Sequence, residues 1–288
     1  MPIPHLSIIG ESLNDSVPST RSLYDAADFH ALAEIARQQD LGGAAYIDVN
    51  VGSRGGDFLA EIIKIVQNAT RKPISVDTPD PAMAEAGLRA IDASRGKPIL
   101  NSISPLRTEM FSLARITPFR PILLICENCV NGVAEPCHTA EETVAAARFM
   151  LEKAHEAGIP NEDCIFDPGV APIGSDTEGN LARLVRTMEM LHADPDFAGT
   201  HASVGLSNFT VMLPSRTASG APVKSSLESA FLTKTLPLGM DHVIGSVKRD
   251  YNLLPPEHPA MKCLEDCITL GGFEAIMRVM EFYSMRNA

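Results

Sequence analysis

Short apolar runs of strand length alternate along this chain with stretches whose apolar positions recur every three or four residues. The runs fall at residues 6–11, 45–51, 73–78, 98–103, 121–127, 164–167, 202–208 and 241–245. Between them, Phe29, Leu32, Ala33, Ile35 and Ala36 keep helical spacing behind the capping Asp28 and ahead of Gly42-Gly43. Residues 57–68, 82–93, 177–191 and 225–238 read as further helices, and Asp80-Pro81 supplies a cap and first-turn proline for the second of these. A capping box, Thr139-Ala140-Glu141-Glu142, opens another helix that Gly158-Ile159-Pro160 stops.

Strands alternating with helices, with no long linker or change of composition, predict a parallel (β/α)8 TIM barrel. The 288 residues are expected to form a single domain, residues 1–288, with residues 259–283 as added C-terminal helices. The polar segment 12–21, which carries Asn14, Asp15 and Pro18, is expected to be a loop over the barrel mouth.

Several runs end on a carboxylate or an amide: Asp48-Val49-Asn50, Asp77, Asn101, Asp167 and, after Gly205-Leu206-Ser207, Asn208. That is the expected layout when the C-terminal ends of parallel strands carry the chemistry. Residues two apart on a strand share a face, so Asp48 and Asn50 point the same way. Taken singly, each such residue is more often a helix cap or an Asx-turn; convergence of several on one barrel end reverses that preference. Carboxylates accept paired N–H donors and amides both donate and accept, a set that suits a flat heterocycle with an amino-amide edge.

With these pieces in order, the chain resembles the methyltetrahydrofolate:corrinoid methyltransferases of the pterin-binding, dihydropteroate-synthase-like family. The matching pieces are Ile9-Gly10-Glu11 with Asn14, Asp48-Val49-Asn50-Val51-Gly52, Asp77, Glu85-Ala86-Gly87-Leu88, Asn101-Ser102, Asp167-Pro168 and Gly205-Leu206-Ser207-Asn208. The resemblance implies that Asp77, Asn101 and Asp167 hold the pterin, and that Gly205, Ser207 and Arg216 border it. It implies that Asn208 is catalytic, through a hydrogen bond to the methyl-bearing nitrogen, with Glu11, Asn14, Asp48, Asn50 and Asn128 in support. Methyltetrahydrofolate or tetrahydrofolate would be substrate, and the cobalt of cobalamin would arrive on a separate corrinoid protein. A homodimer is also implied. The loops after Glu11 and Glu127, and the length of 211–222, depart from the family pattern.

Two other readings are distinguishable. Dihydropteroate synthase would share the pterin site, but its seventh strand ends in Ser-Arg-Lys, and Leu206-Ser207-Asn208 offers no cation for a diphosphate leaving group. A non-catalytic folate-binding protein would have no need of Asn208. Asp28-Phe29-His30-Ala31-Leu32-Ala33 lacks the glycine of a corrinoid-carrying signature, so the cobalt must come from elsewhere.

The net charge of −12 argues against nucleic acid or an acidic membrane as partner. The start of the chain has no basic, apolar leader, and no run approaches membrane-spanning length, which predicts a cytoplasmic protein. Six cysteines are then read as reduced thiols. Cys126-x-x-Cys129 with Cys137-His138 has a metal-like spacing, but Cys126 is predicted inside a strand and Cys129 beyond it, so no protein-bound metal is expected.

Overall fold

A computed structural model describes residues 3–284. Its strands are β1 (Ser7–Asn14), β2 (Tyr46–Asn50), β3 (Ile74–Asp77), β4 (Ile99–Ile103), β5 (Arg120–Leu124), β6 (Glu127–Val130), β7 (Val133–Pro136), β8 (Ile165–Asp167), β9 (His201–Ala202) and β10 (His242–Gly245). Eight of them stand parallel in the order β10-β1-β2-β3-β4-β5-β8-β9, and β6 and β7 pair apart from the rest. The large sheet curls until β9 and β10 meet: the Ile244 N–H donates to the Val204 carbonyl at 3.0 Å, and Gly205 bridges Ile244 in parallel sense. The result is a (β/α)8 barrel.

The strands are nearly continuous apolar runs because helices cover their outer faces while the barrel interior covers the others. Ile9, Ile99, Ile122 and Ile165, all fully buried, cluster with Tyr46 and Ile244 as an inner layer. Outside, α1 (Pro18–Asp25), α2 (Phe29–Leu41), α3 (Gly56–Ala69), α4 (Pro81–Arg89) and α5 (Ala140–Glu156) pack on one half of the cylinder. The other half carries α6 (Asn180–Ala193), the short α7 (Leu206–Phe209), α8 (Lys224–Thr235), and the tail helices α9 (Pro259–Leu270) and α10 (Gly272–Ser284). The expected caps form: Asp28 and Asp80 accept from Ala31 N and Met83 N, and both halves of the Thr139–Glu142 capping box are present. Among the described residues no helix is long and apolar enough to cross a membrane.

Four segments differ from the sequence expectation. Segment 12–21 is not a loop: β1 continues through a bulge to Asn14, and α1 follows with proline in its first turn. The Thr20 and Tyr24 hydroxyls tie α1 back to the Ser12 and Leu13 carbonyls at 2.8 and 2.9 Å. The fifth strand stops at Leu124, and the antiparallel hairpin of β6 and β7 rises beyond it. Asn131 and Gly132 turn this hairpin with φ of 52° and 80°, the left-handed pair that asparagine-glycine supplies best.

The helix expected at 177–191 starts later, at Asn180, because Asp176 accepts from the Asn180 and Leu181 N–H groups and fixes the entry. The fourth departure bears on the site. Residues 202–208 are not a strand to their end; β9 is spent at Ala202, Ser203 makes one last bond to Phe166, and α7 forms a single helical turn.

Candidate active site

The C-terminal ends of the strands open into a cavity of about 710 Å³. Asp77, Asn101 and Asp167 line it, as do Glu11, Asn14, Gly205, Ser207 and Asn208. Register explains part of this gathering, since Asp77 stands opposite Asn101 across β3 and β4, and Asp167 opposite Leu124 across β5 and β8. Side chains from four separate strand ends and from α7 thus meet in one space.

Asn208 arrives by way of α7 rather than by the strand itself. Gly205 caps the turn, and a Cβ at that position would lie 2.8 Å from Asn208 Nδ2, so the amide folds over a place only glycine leaves open. The turn is anchored on both flanks. The Ser207 hydroxyl donates to Glu11 Oε2 at 2.8 Å, and the Thr210 hydroxyl donates to the fully buried Glu228. Arg249 Nε lies 3.4 Å from the other Glu228 oxygen.

Burial sets the electrostatics. It raises the Asp167 carboxyl to about 6, against the lowering influence of the Gly169 N–H, which donates at 2.8 Å, and of the nearby Arg183. Asp48 is wholly buried behind the floor, and desolvation together with the facing Asp77 carboxyl pushes it well above the usual range and favours its protonated form. Burial also raises Asp77, but Asn50 and the Asp48 carboxyl both hydrogen-bond to it and favour its charged form. Asn101 Nδ2 reaches Asp48 Oδ1 at 3.4 Å. The floor is therefore an acceptor-rich acidic surface, able to hold two or more N–H donors of a flat ring.

The remaining sequence candidates are placed differently. Asn50 lines a second cleft on the far side of Asp77, of about 770 Å³. Asn128 lies on β6 and donates to Cys137 Sγ at 3.2 Å, away from the lining of the main cavity. Arg216 is exposed, and its Nη1 donates to the Gly220 carbonyl at 2.7 Å within its own loop, so it too is not among the lining residues. Lys248, just after β10, escaped the sequence reading; among the described residues it is the one lysine or arginine that lines the cavity. Its only sequence signal is its place a few residues beyond a strand end.

Among the described residues, Cys126, Cys129, Cys137 and His138 form no converging group; Cys129 is exposed and Cys137 buried. Among the described residues, the group whose ligand-type atoms do converge is His201, Asp241 and His242, at the opposite end of the strands. There Asp241 accepts from His201 Nδ1 at 2.5 Å and from His242 Nδ1 at 2.7 Å, while Arg120 donates to His242 Nε2 at 3.1 Å. Each carboxylate oxygen is occupied by an imidazole proton and a guanidinium stands beside them, so the group forms a hydrogen-bonded plug.

The profile of the family described as pterin binding enzyme matches residues 13–245. A protein named methylcorrinoid:tetrahydrofolate methyltransferase, from Eubacterium limosum, is 26% identical over 246 residues, which span 82% of this chain and 83% of that one. Among solved structures, dihydropteroate synthase from Thermus thermophilus superposes with a TM-score of 0.59 at 22% identity, covering 85% of this chain and 89% of the other. The Yersinia pestis dihydropteroate synthase gives 0.53 at 17% identity, with 90% and 91% covered. These structures share the fold; the matched profile covers most of the barrel, and the chain belongs to the pterin-binding enzyme family.

Proposed function

We propose that this protein transfers a methyl group between N5 of methyltetrahydrofolate and the cobalt of a corrinoid carried by a separate protein. The carrying observation is the pairing, within one cavity, of the acceptor-rich floor Asp77–Asn101–Asp167 with the uncharged amide of Asn208. The floor accepts the N–H donors of the amino-pyrimidinone edge, Asp167 taking the paired ones. Asn208 then faces the nitrogen that bears the methyl group.

A tertiary amine leaves poorly, so transfer needs the electron pair arriving on N5 to be countered. The Asn208 amide donates to that nitrogen, or accepts from it once it is protonated, and holds it in line with the incoming cobalt. Dihydropteroate synthesis fits less well, because a diphosphate leaving group needs several cations and, among the described residues, Lys248 alone lines the cavity. The name of the Eubacterium limosum relative supports the corrinoid reading. A homodimer in the cytoplasm, with the corrinoid protein docking at the barrel mouth, completes the proposal.

The test is an anaerobic mixture of the protein, methyltetrahydrofolate and chemically reduced cobalamin, followed through loss of the cobalt(I) absorption band. Enzyme-dependent formation of methylcobalamin, slowed in Asn208→Ala with folate affinity kept, is the expected result. Failure to bind methyltetrahydrofolate, or equal losses of rate and affinity in the variant, would overturn the assignment of Asn208 or of the whole site.

A further inference from the structure

Methyl transfer from an amine nitrogen leaves that nitrogen one proton short, and an asparagine has no proton to give at neutral pH. Asp77 and Asp167, the ionisable groups of the floor, are committed to the ring's N–H donors in the reading above, on which this inference rests. One more carboxyl lines the same cavity beside Asn208. Glu11 reaches it from β1 across the closing seam, and its Oε2 is 2.8 Å from the Ser207 hydroxyl. Ser207 is the chain neighbour of Asn208 and lines the cavity with it.

We propose that Glu11 is the proton reservoir of the reaction, and that Ser207 relays its proton to N5 of the pterin. Ser207 makes the contact with substrate; Glu11 acts through it. In the forward step the N5–CH3 bond breaks and its electron pair stays on N5. The cobalt(I) of the partner corrinoid supplies the pair for the new Co–CH3 bond and becomes cobalt(III). The Ser207 hydroxyl, which donates to Glu11 Oε2 in the unliganded site, turns its Oγ–H to N5 and accepts from the protonated Glu11. The Oγ–H proton goes to N5, the Glu11 proton goes to Ser207 Oγ, and Glu11 is left as carboxylate. In the reverse step the same path removes the N5 proton from tetrahydrofolate, with Glu11 as its final acceptor.

The surroundings favour the protonated form of Glu11. Glu11 is largely desolvated, and this raises its carboxyl above the ordinary range; the Glu228 carboxylate of α8 adds to the effect. The Ser207 bond and Arg249 pull the other way and favour release of the proton. Tyr251, whose hydroxyl approaches Gly245 behind the seam, is raised by its own burial and stays neutral. Besides Asp77 and Asp167, Glu34 of α2 and Lys248 are the other charged side chains that line the cavity among the described residues.

Single-turnover transfer between methyltetrahydrofolate and cobalt(I) cobalamin, measured across a range of pH, separates this role from a structural one. Glu11→Gln keeps an oxygen that accepts from Ser207, so the turn stays anchored, but it carries no exchangeable acid proton. The expected result is a rate lower by about 100-fold, with folate affinity unchanged and the alkaline fall of the wild-type profile abolished. Glu11→Asp should restore part of the rate and a shifted profile, and Ser207→Ala should match Glu11→Gln without further loss in the double variant. A Glu11→Gln protein with wild-type rate and profile overturns the relay, as does a loss of folate affinity equal to the loss of rate. A wild-type protein that binds methyltetrahydrofolate but transfers nothing, to cobalamin or to a reduced corrinoid protein, overturns the methyl-transfer reading and this one with it.

Discussion

Asn50 and Asp77 meet across neighbouring strands, the Asn50 Nδ2 donating to Asp77 Oδ2 at 3.0 Å. This bond, with the Asp48 carboxyl on the other side, works against the burial that raises Asp77 and favours its acceptor form. Asn50 is thus tied to the main cavity through Asp77 while its own surface faces the second cleft.

Replacing Asn50 by alanine should therefore weaken methyltetrahydrofolate binding by roughly tenfold, the worth of one hydrogen bond to a charged group. Loss of the donor lets Asp77 hold a proton at higher pH, so the defect should deepen on the acid side of neutrality. Calorimetric titration on both sides of neutrality checks the magnitude and the trend; an affinity independent of the substitution would detach Asp77 from the ligand.

In the proposed reading, Asp167 couples stability to binding. Its carboxyl is raised to about 6 in the folded protein. Relative to the unfolded chain, that shift favours the fold below the ordinary carboxylate range and is a cost once pH rises through about 6. Ligand binding has the opposite preference, since an acceptor is needed, and affinity should rise as pH rises through about 6. Asp167→Asn should raise the melting temperature of the unliganded protein at neutral pH, weaken folate binding, and remove this pH dependence. Calorimetry and thermal melts on the same two proteins read all three.

Gly205→Ala should reproduce Asn208→Ala. The added Cβ would sit 2.8 Å from Asn208 Nδ2 and push the amide off its place. Transfer should slow by a comparable factor in each single variant, with the double variant little worse than either, because both remove one interaction. Full additivity in single-turnover rates would mean that the two residues act separately.

The plug at the other end of the barrel should behave as a stability element. Burial of Asp241 works to raise its carboxyl, but the hydrogen bonds from His201 and His242 prevail and hold it below the usual range. A depressed pKa contributes stability above the unfolded value, which is lost as pH falls through the ordinary carboxylate range. Asp241→Asn should cost about 1–2 kcal/mol at neutral pH in urea denaturation, and the difference should vanish in acid, with folate affinity unchanged throughout.

The barrel was legible because each buried parallel strand is an apolar run and each helix carries its own cap, as at Asp28, Asp80 and Thr139. Asp77, Asn101 and Asp167 were legible for a related reason: strand ends of a parallel barrel share one mouth. What escaped were features decided by tertiary contact. The carboxyl pair Asp48–Asp77 depends on β2–β3 register, and the Glu11–Ser207 bond joins residues from distant parts of the chain that meet only once the barrel closes. The β6–β7 hairpin had a local signal, Asn131-Gly132 between Val130 and Val133, but it lies where a loop after the fifth strand was expected. Arg216 shows the converse, a position suggested by motif order that its own loop holds elsewhere.

The closing seam has one further consequence. Among the described residues, seven of the eight joints in the cylinder are strand ladders, whereas β9 and β10 meet through the bridge at Gly205 and Ile244 and the bond just before it. A ring is only as stiff as its softest joint, and this one carries Asn208. The placement of that amide is governed by two side-chain rivets, at Glu11 and Glu228, in place of a woven edge. Changes at either rivet can retune the alignment of the Asn208 amide while the other staves stay as they are.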